Sequence, residues 1–215
     1  MDRDISSFRK SYKKNSLDKK NVSISPLILF DKWFNEINIS NINSEINAMT
    51  LSTIDRHGFP KGRVVLLKYY SENGFTFFSN YDSEKSTAIL NNNKVSISFF
   101  WEEFERQVII KGFAKKTSKK ISDDYFNSRP KGSKIGALVS SKQSSVISSK
   151  DILIKKFDEL TTKYKDAIVK RPNNWGGFII SPIEYEFWQG GENRLHDRIR
   201  YRLTDKKWII DRLSP

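Results

Sequence analysis

Segments in which apolar and polar residues alternate make up much of this chain, and they predict short β-strands joined by glycine-containing turns. The first three strands are expected in AMTLSTID, KGRVVLLKYY and FTFFSN, with the turns RHGFP and SENG between them. Two more are expected in KVSISFFW and ERQVIIKGFAKK, and the last three in GGFIISPIEYEFWQ, LHDRIRYRL and KKWIIDRLSP. Such short connections are typical of antiparallel strands.

Helical spacing of apolar residues interrupts these strands in four places. Ser25 followed by Pro26 marks the start of the first helix, which is expected to end near Asn38. A later helix, in SKKISDDYFNSR, must end before Pro130, because the residue before a proline disfavours the helical region. The other two are predicted at about residues 83–91 and in KDILIKKFDELTTKY, which Ser148 or Ser149 can cap.

Strands in a run, with helices inserted between them, predict a mainly β fold: an antiparallel barrel or sheet with peripheral helices, not a βαβ fold. At 215 residues the chain is long enough to bury a core as one domain. Residues 1–24 show little apolar periodicity and are predicted to form a mobile arm, which leaves a single domain over residues 25–215.

The composition limits the classes of function that the chain can have. It contains no cysteine, which fits a reducing compartment such as the cytoplasm, and the N-terminal segment lacks the apolar core of a signal peptide. No apolar run is long enough to span a membrane. The net charge of +13 invites a nucleic-acid partner, but the lysines are scattered, and this favours a small anionic ligand instead.

Several common catalytic signatures are missing from the sequence. It has no glycine-rich dinucleotide fingerprint, no P-loop and no G-x-S-x-G nucleophile motif. With two histidines and no cysteine, no metal site is expected, and His57, in the turn DRHG, is read as a solvated residue. The remaining chemistry lies in three polar segments.

The first segment is FWQGGENRLHDR, near the C-terminus. If RLHDR is extended, alternation places Arg194, His196 and Arg198 on one face. A polar strand face of this kind can simply meet water. Gly190 and Gly191, however, permit a tight bend and the close approach of backbone to a ligand, which favours a binding site.

The second segment, DDYFNSRPKGS, carries a phenol, a guanidinium and a hydroxyl. Tyr125 and Arg129 are four residues apart on a predicted helix and therefore share a face, and Ser133 follows closely. Together they form a set of donors suited to a phosphate, although a tyrosine and an arginine can also pack together at a helix end without a ligand.

The third segment, FFSNYDSEKSTAIL, predicts a helix capped by Asp82 or Ser83 with Lys85 in its first turn, which is a second anion site. In the neighbouring GRVVLLK, Arg63 and Lys68 are an odd number of residues apart. Strict alternation sends them to opposite faces unless a bulge intervenes or one of them lies at the strand end.

Eight segments together resemble the pyridoxamine 5′-phosphate oxidase family in order and approximate spacing. They are GRVVLLK, FFSNYDSEK, ERQV, YFNSRPKGSKIGA, SKQSS, WGGF, EFWQGGENRLHDR and WIIDRLSP, and the similarity runs from about Phe8 to Pro215. The resemblance implies a split β-barrel homodimer with FMN between the subunits. It also implies oxidation of pyridoxamine or pyridoxine 5′-phosphate to pyridoxal 5′-phosphate, with O2 as the acceptor and H2O2 as a product.

The resemblance also assigns roles to residues of this chain. Arg194 and His196 would bracket the pyridine ring of the substrate, orient it and help to handle charge as the amine or alcohol is oxidised. Substrate-binding positions would be Lys68, Tyr125, Arg129, Ser133, Arg194 and His196, with Arg9 and Tyr12 from a segment that closes over the site. The FMN positions would be Arg63, Val64, Val65, Leu66, Lys68, Phe78, Ser79, Lys85, Gln107, Gln143, Ser144, Trp188 and Arg198.

Three positions depart from the family pattern. Glu84 stands where an arginine usually meets the FMN phosphate, so its carboxylate must turn away or FMN binds less tightly. Phe78 replaces a common tyrosine, and Asn193 replaces a frequent histidine. Two other functions stay open: another split-barrel FMN protein such as a flavin reductase, and a basic nucleic-acid-binding domain.

Overall fold

The computed structural model describes residues 1–40 and 45–215. Its helices match the four predicted segments and add one that periodicity did not indicate. In chain order they are α1 (Pro26–Ile39), α2 (Glu84–Asn91), α3 (Lys119–Ser128), α4 (Lys131–Val139) and α5 (Asp151–Lys163). Within the described ranges, none of these helices is long and apolar enough to cross a membrane.

The strands confirm the predicted antiparallel sheet with helices around it. They are β1 (Ala48–Ile54), β2 (Pro60–Leu66), β3 (Tyr69–Ser71), β4 (Gly74–Asn80), β5 (Lys94–Trp101), β6 (Arg106–Lys116), β7 (Trp175–Gln189), β8 (Asp197–Thr204) and β9 (Lys207–Leu213). Hydrogen bonds order them as β2-β1-β5-β6-β7-β4-β3, and β8 pairs with both β7 and β9. The predicted strand KGRVVLLKYY is in fact two strands, because β2, which pairs with β1, ends at Leu66, and β3, which pairs with β4, begins at Tyr69.

One predicted helix cap was wrong, and one helix was not predicted. The N-terminal cap of α5 is Lys150, and neither Ser148 nor Ser149 holds that position. The missed helix, α4, contains Gly132 and Gly136, both of which weaken helix propensity. It forms because packing decides the outcome: Ile135, Ala137 and Val139 are buried in one core cluster.

The chain divides into two compact units. The first unit comprises residues 1–50, 96–111 and 182–215, and the second comprises residues 51–95 and 112–181. In the first unit, α1 buries Leu29, Trp33 and Ile37, which are spaced four apart and so share a face. The ring of Trp33 meets Phe187 edge to face, with centroids 5.3 Å apart, and this contact belongs to the core of that unit.

The second unit is built around β4, which is buried along almost its whole length. This strand pairs antiparallel with β3 and with the start of β7, where Phe78 lies opposite Gly177. Phe78 is the half-buried exception on β4. Its ring packs against a core cluster that includes Phe126 and Trp175.

Candidate active site

A cavity of about 520 Å³ lies within the second unit, where β4, α3, α4 and the start of β7 meet. The second and third polar segments singled out in the sequence both contribute side chains to it. Its lining residues are Val64, Val65, Leu66, Lys68, Phe78, Ser79, Asn80, Lys85, Tyr125, Arg129, Ser133, Gly136, Ala137, Ser140, Gln143 and Trp175.

One side of the cavity is a stack of aromatic rings. The centroids of Phe78 and Tyr125 are 4.0 Å apart with an interplanar angle of 22°, and those of Phe78 and Trp175 are 5.6 Å apart at 12°. The Cζ atom of Arg129 lies 4.7 Å from the centroid of the Trp175 ring. This cation–π contact holds the guanidinium at the cavity wall.

Arg129 carries an unsatisfied donor in this position. Its Nη1 atom is buried and has no hydrogen-bond partner among the described residues. Burial lowers the pKa of Arg129, and it raises the pKa of Tyr125, where the nearby Arg129 charge acts in the opposite direction. A buried donor without a partner is costly, so an acceptor in the cavity would recover that cost.

Ser133 and Lys68 complete this group of donors. Ser133 lies in the first turn of α4, whose N-cap position is Pro130. Lys68 follows the end of β2, and its backbone N–H donates to the Thr76 carbonyl at 2.8 Å. Because Lys68 lies beyond the strand, the alternation argument that separated it from Arg63 does not apply.

Arg63 itself is not a lining residue of this cavity. Its Nη1 atom donates to Thr53 Oγ1 at 2.7 Å and to the Leu51 carbonyl at 3.1 Å. Burial lowers its pKa, and the charge of Glu84 partly offsets that effect. Val64, Val65 and Leu66, by contrast, all line the cavity.

The second group of donors lies at the N-terminus of α2. Lys85 Nζ is 3.3 Å from the hydroxyls of Ser79 and Ser83 and 3.5 Å from Gln143 Oε1. Ser83 is the N-cap residue, as one of the two predicted alternatives, but its hydroxyl donates to the Asn80 carbonyl and does not cap a helix amide. Burial, followed by the charge of Arg63, lowers the pKa of Lys85.

Asn80 connects this helix start to the loop after α4, and the sequence did not single it out. Its Nδ2 atom donates to the carbonyls of Ser140 and Ser141 at 3.0 and 3.1 Å, and its Oδ1 accepts from Asp82 N–H at 2.7 Å. The loop that it holds carries Gln143 and Ser144. An asparagine between a strand and a helix start was the available signal.

Glu84, the departure of greatest concern, turns away from Lys85. Both of its carboxylate oxygens accept hydrogen bonds from Lys61 Nζ, at 2.8 and 2.7 Å, and both side chains are partly exposed. Its backbone N–H donates to Ser144 Oγ at 3.3 Å. The negative charge of Glu84 is therefore paired on the surface and does not line the cavity.

In the C-terminal segment FWQGGENRLHDR, which lies in the first unit, the prediction made from alternation was wrong. Residues Glu192–Arg194 form a short 3-10 turn, with Asn193 and Arg194 at φ values of 52° and 62°, and β8 begins only at Asp197. RLHDR is therefore not a continuous extended strand. The tight turn before β8 breaks the alternation that would have aligned Arg194 with His196.

The two glycines serve close approach of the chain to itself. A Cβ atom on Gly191 would lie 2.4 Å from the Leu195 carbonyl oxygen, and one on Gly190 would lie 2.8 Å from the Tyr12 side chain. The Gly191 N–H donates to His196 Nδ1 at 3.1 Å, which leaves Nε2 as the protonated nitrogen of a neutral ring. Bending and contact with Tyr12 both depend on these glycines.

The other predicted cofactor residues of the first unit have partners there. Arg198 donates to Glu186 and to the Ser214 carbonyl, each at 2.8 Å. Gln107 donates to Ser98 Oγ at 3.3 Å, and the Trp188 ring meets Tyr12 edge to face at 5.6 Å. These contacts orient the side chains without a ligand.

Fold and site define an antiparallel β-sheet protein with two groups of hydrogen-bond donors in one cavity. Residues 38–164 match the family profile described as pyridoxamine 5′-phosphate oxidase, and residues 175–215 match the pyridoxine 5′-phosphate oxidase C-terminal dimerisation region. The chain belongs to the pyridoxamine 5′-phosphate oxidase family, as its motifs predicted.

Full-length relatives support the same membership. The chain is 53% identical over 212 residues to pyridoxine/pyridoxamine 5′-phosphate oxidase of Flavobacterium johnsoniae, covering 98% of this chain and 99% of the relative. It is 52% identical over 214 residues to the protein of that name from Flavobacterium psychrophilum, covering 99% and 100%.

Solved structures confirm the predicted fold class. PhzG from Burkholderia lata 383, in complex with tetrahydrophenazine-1-carboxylic acid, superimposes with a TM-score of 0.88 at 22% identity, covering 96% of this chain and 100% of that one. A pyridoxamine 5′-phosphate oxidase-related, FMN-binding protein of Nostoc punctiforme gives 0.70 at 12% identity, covering 90% and 100%. The split-barrel architecture is thus shared at low sequence identity.

Proposed function

We propose that this protein is an FMN-dependent oxidase that converts pyridoxamine or pyridoxine 5′-phosphate to pyridoxal 5′-phosphate, with O2 as acceptor and H2O2 as product. When the amine is the substrate, water is also consumed and ammonia is released. One observation carries the proposal: a single cavity holds two separate groups of donors, around Arg129 and around Lys85. A phosphorylated substrate and a flavin mononucleotide need one such group each. Family membership supplies the identity of the two ligands.

The donor set around Lys85 fits the phosphate of FMN. Ser79, Lys85 and Gln143 provide hydroxyl, ammonium and amide groups at the N-terminus of α2, where helix amides also favour an anion. We assign the FMN contacts to the residues that the family motif indicates: Arg63, Val64, Val65, Leu66, Lys68, Phe78, Ser79, Lys85, Gln107, Gln143, Ser144, Trp188 and Arg198. Bound there, FMN would supply the two-electron redox chemistry of the oxidation, with O2 as the final acceptor.

The donor set around Arg129 fits the phosphate of the substrate. The guanidinium, fixed over Trp175, presents its unpartnered Nη1, and Lys68, Tyr125 and Ser133 line the same cavity. Arginine matches a phosphate through its planar fork, which positions as well as attracts the ligand. Fixing the phosphate reduces the reaction to correct placement of the reacting carbon.

For the reacting end of the substrate, we propose contacts from Arg194 and His196, with Arg9 and Tyr12 contributed by the N-terminal segment. His196 Nδ1 accepts a hydrogen bond from the Gly191 N–H, so in a neutral ring Nε2 remains available as a donor. Arg194 is exposed and, at φ 62°, is held in a conformation that side chains rarely adopt. Such a conformation is found more often at binding sites than elsewhere.

We further propose that the enzyme is a homodimer with FMN at the interface between subunits, and that it acts in the cytoplasm. The match of residues 175–215 to a dimerisation region supports the dimer. The position of FMN and the cytoplasmic location are carried over from the expectations made from sequence.

A spectrum of the purified protein tests the proposed function. We expect a yellow flavin absorbance that is bleached when pyridoxamine 5′-phosphate is added without oxygen and that returns in air. A colourless protein that FMN cannot reconstitute would contradict the proposal. Tight, strongly salt-dependent binding of DNA or RNA by that colourless protein would instead favour the nucleic-acid function.

Replacing Arg194 by alanine should lower kcat/KM for pyridoxamine 5′-phosphate by roughly 10- to 150-fold, the range for one charge-assisted hydrogen bond. Steady-state kinetics at saturating oxygen measure this change. Arg56→Ala, which removes an arginine from the surface turn before β2, is the matched control and should leave kcat/KM unchanged. A change of less than about twofold in Arg194→Ala would remove Arg194 from the site.

Replacing Lys61 by alanine should weaken FMN binding by at most about fivefold, because an exposed ion pair is worth little. The change frees the Glu84 carboxylate, which then repels the phosphate held near Lys85. Quenching of flavin fluorescence on titration of the apoprotein measures the dissociation constant. The double variant Lys61→Ala/Glu84→Gln should regain the original affinity, and failure to do so would show that Glu84 does not act through its charge.

A further inference from the structure

Glu105 combines burial, charge and an unusual backbone conformation. It lies between a short 3-10 turn, Glu102–Phe104, and strand β6, and it is 2% exposed. Its φ and ψ of 55° and 40° place it in the left-handed region, which disfavours residues other than glycine and asparagine. A glutamate here is unfavourable for both backbone and side chain unless its carboxylate has a specific partner.

The partner of this carboxylate is the N-terminal segment. Glu105 Oε2 accepts the backbone N–H groups of Lys13 at 2.8 Å and Lys14 at 3.0 Å, which are far away in sequence. In the part of the chain that the structure describes, the ion pairs do not include Glu105. Two consecutive backbone amides therefore compensate a buried charge, and hydrogen bonds to a charged acceptor are stronger than neutral ones.

The backbone of Glu105 is anchored to the segment that carries the candidate substrate residues. Its carbonyl accepts the Gly190 N–H at 2.8 Å and Gln189 Nε2 at 3.2 Å. Gln189 is fully buried, and its Oε1 atom in turn accepts a hydrogen bond from Arg106 Nε at 2.9 Å. The backbone of Glu105 is thus held by hydrogen bonds from Gln189 and Gly190.

Tyr12 lies directly before the two amides that Glu105 accepts. The Tyr12 ring packs edge to face against Trp188, with centroids 5.6 Å apart, and against His196 at 5.8 Å. It also fills the space in which a Cβ on Gly190 would stand. The tyrosine next to the held amides is therefore placed on the two rings of the C-terminal segment.

A second carboxylate holds the other end of this short segment. Leu17 N–H donates to Asp197 Oδ2 at 2.8 Å, the Leu17 carbonyl accepts Arg212 Nη2 at 2.9 Å, and the Leu17 side chain is 7% exposed. Residues 12–17, called the strap from here on, are thus fixed at both ends. Residues 1–10, before the strap, are exposed.

We propose that Glu105 is a positioning residue whose carboxylate holds the strap and thereby sets Tyr12 against Trp188 and His196. The inference rests on the proposed function, in which Tyr12 and His196 contact the substrate. The Glu105 carboxylate is engaged by the strap amides, and neither substrate nor cofactor contact is assigned to it. It acts through Tyr12, and its loss releases the strap.

Limited proteolysis of the full-length apoprotein tests the holding role without any ligand. Trypsin should cut after Lys13 and Lys14 at least about 10-fold faster in Glu105→Ala than in the original protein, the lower limit for one charge-assisted hydrogen bond. Glu105→Gln keeps a carbonyl oxygen that can accept both amides and should show a smaller increase. Glu103→Ala removes an exposed carboxylate two residues away, and trypsin should cleave this variant at the original rate.

Kinetics then test whether the strap serves the substrate. Glu105→Ala should raise the KM for pyridoxamine 5′-phosphate about 10-fold and change the FMN dissociation constant by less than about twofold. Tyr12→Ala should raise the KM similarly, and the double variant should be no worse than either single one, because both changes remove the same contact. A general loss of stability would lower the melting temperature without this non-additivity.

Two results would overturn the proposal: cleavage of Glu105→Ala at the original rate, or KM effects of Glu105→Ala and Tyr12→Ala that simply multiply. If the original protein proves colourless and cannot be reconstituted with FMN, the proposed function fails and the substrate role of Glu105 fails with it. The cleavage comparison then still decides whether Glu105 holds the strap.

Discussion

Replacing Arg129 by alanine is expected to raise the KM for pyridoxamine 5′-phosphate by roughly 10- to 150-fold, the equivalent of one charge-assisted hydrogen bond. The reason is the position of the guanidinium, which is held over the Trp175 ring with a buried Nη1 that has no partner in the described part of the protein. Steady-state kinetics measure the KM, and flavin fluorescence measures FMN binding. The FMN dissociation constant should change by less than about twofold.

Arg129→Lys is the informative control for this prediction. Lysine keeps the charge but lacks the planar fork and stacks less well on an aromatic ring, so an intermediate KM is expected. If Arg129→Ala leaves the KM within about twofold of the original, the cavity does not bind the substrate phosphate. Another split-barrel FMN protein, such as a flavin reductase, would then be the better assignment.

Replacing Lys85 by alanine is expected to weaken FMN binding by roughly 10- to 150-fold, again the range for one charge-assisted hydrogen bond. Lys85 brings its ammonium group to Ser79 and Gln143 at the N-terminus of α2, where it would meet the FMN phosphate. Fluorescence titration of the apoprotein measures the change. Lys94→Ala, which removes an exposed lysine at the start of β5, should leave the affinity unchanged.

The same variant should change how FMN affinity depends on pH. Burial, followed by the charge of Arg63, lowers the pKa of Lys85, so this side chain is charged at low pH and loses its charge at a lower pH than an exposed lysine does. FMN affinity should therefore fall as the pH rises through the alkaline range. In Lys85→Ala, the part of this decrease in FMN affinity that comes from loss of the Lys85 charge should be absent. An identical pH profile of FMN affinity in both proteins would contradict the assignment of Lys85 to the FMN phosphate.

Most helices and strands could be predicted from local pattern, because the information that defines them is local. Ser25 and Pro26 start α1 as expected, and alternation located the strands, with short turns between them. The helix α4 could not be found in this way. Its two glycines oppose helix formation, and burial of Ile135 and its neighbours outweighs that preference only after the chain has folded.

Part of the candidate site was also accessible from sequence. Tyr125, Arg129 and Ser133 were grouped by helical spacing and by the chemistry of a phosphate, and the structure places all three in one cavity. Alternation failed at Arg194, since a tight turn with two residues at positive φ replaces the expected strand. Local spacing predicts neither such turns nor the contact of Tyr12 with Gly190 that accompanies this one.

The sequence by itself determined most of the strand and helix pattern and the family to which the chain belongs, and it singled out two groups of polar side chains that line one cavity. Only the tertiary structure decided where individual charges go: Glu84 turns to Lys61, Arg129 lies over Trp175, and Glu105 holds the amides of Lys13 and Lys14. The physical reason is that a residue's type and spacing act locally, whereas the direction and burial of a long polar side chain depend on partners distant in sequence. Glu105 and Lys13, 92 residues apart, show this most clearly.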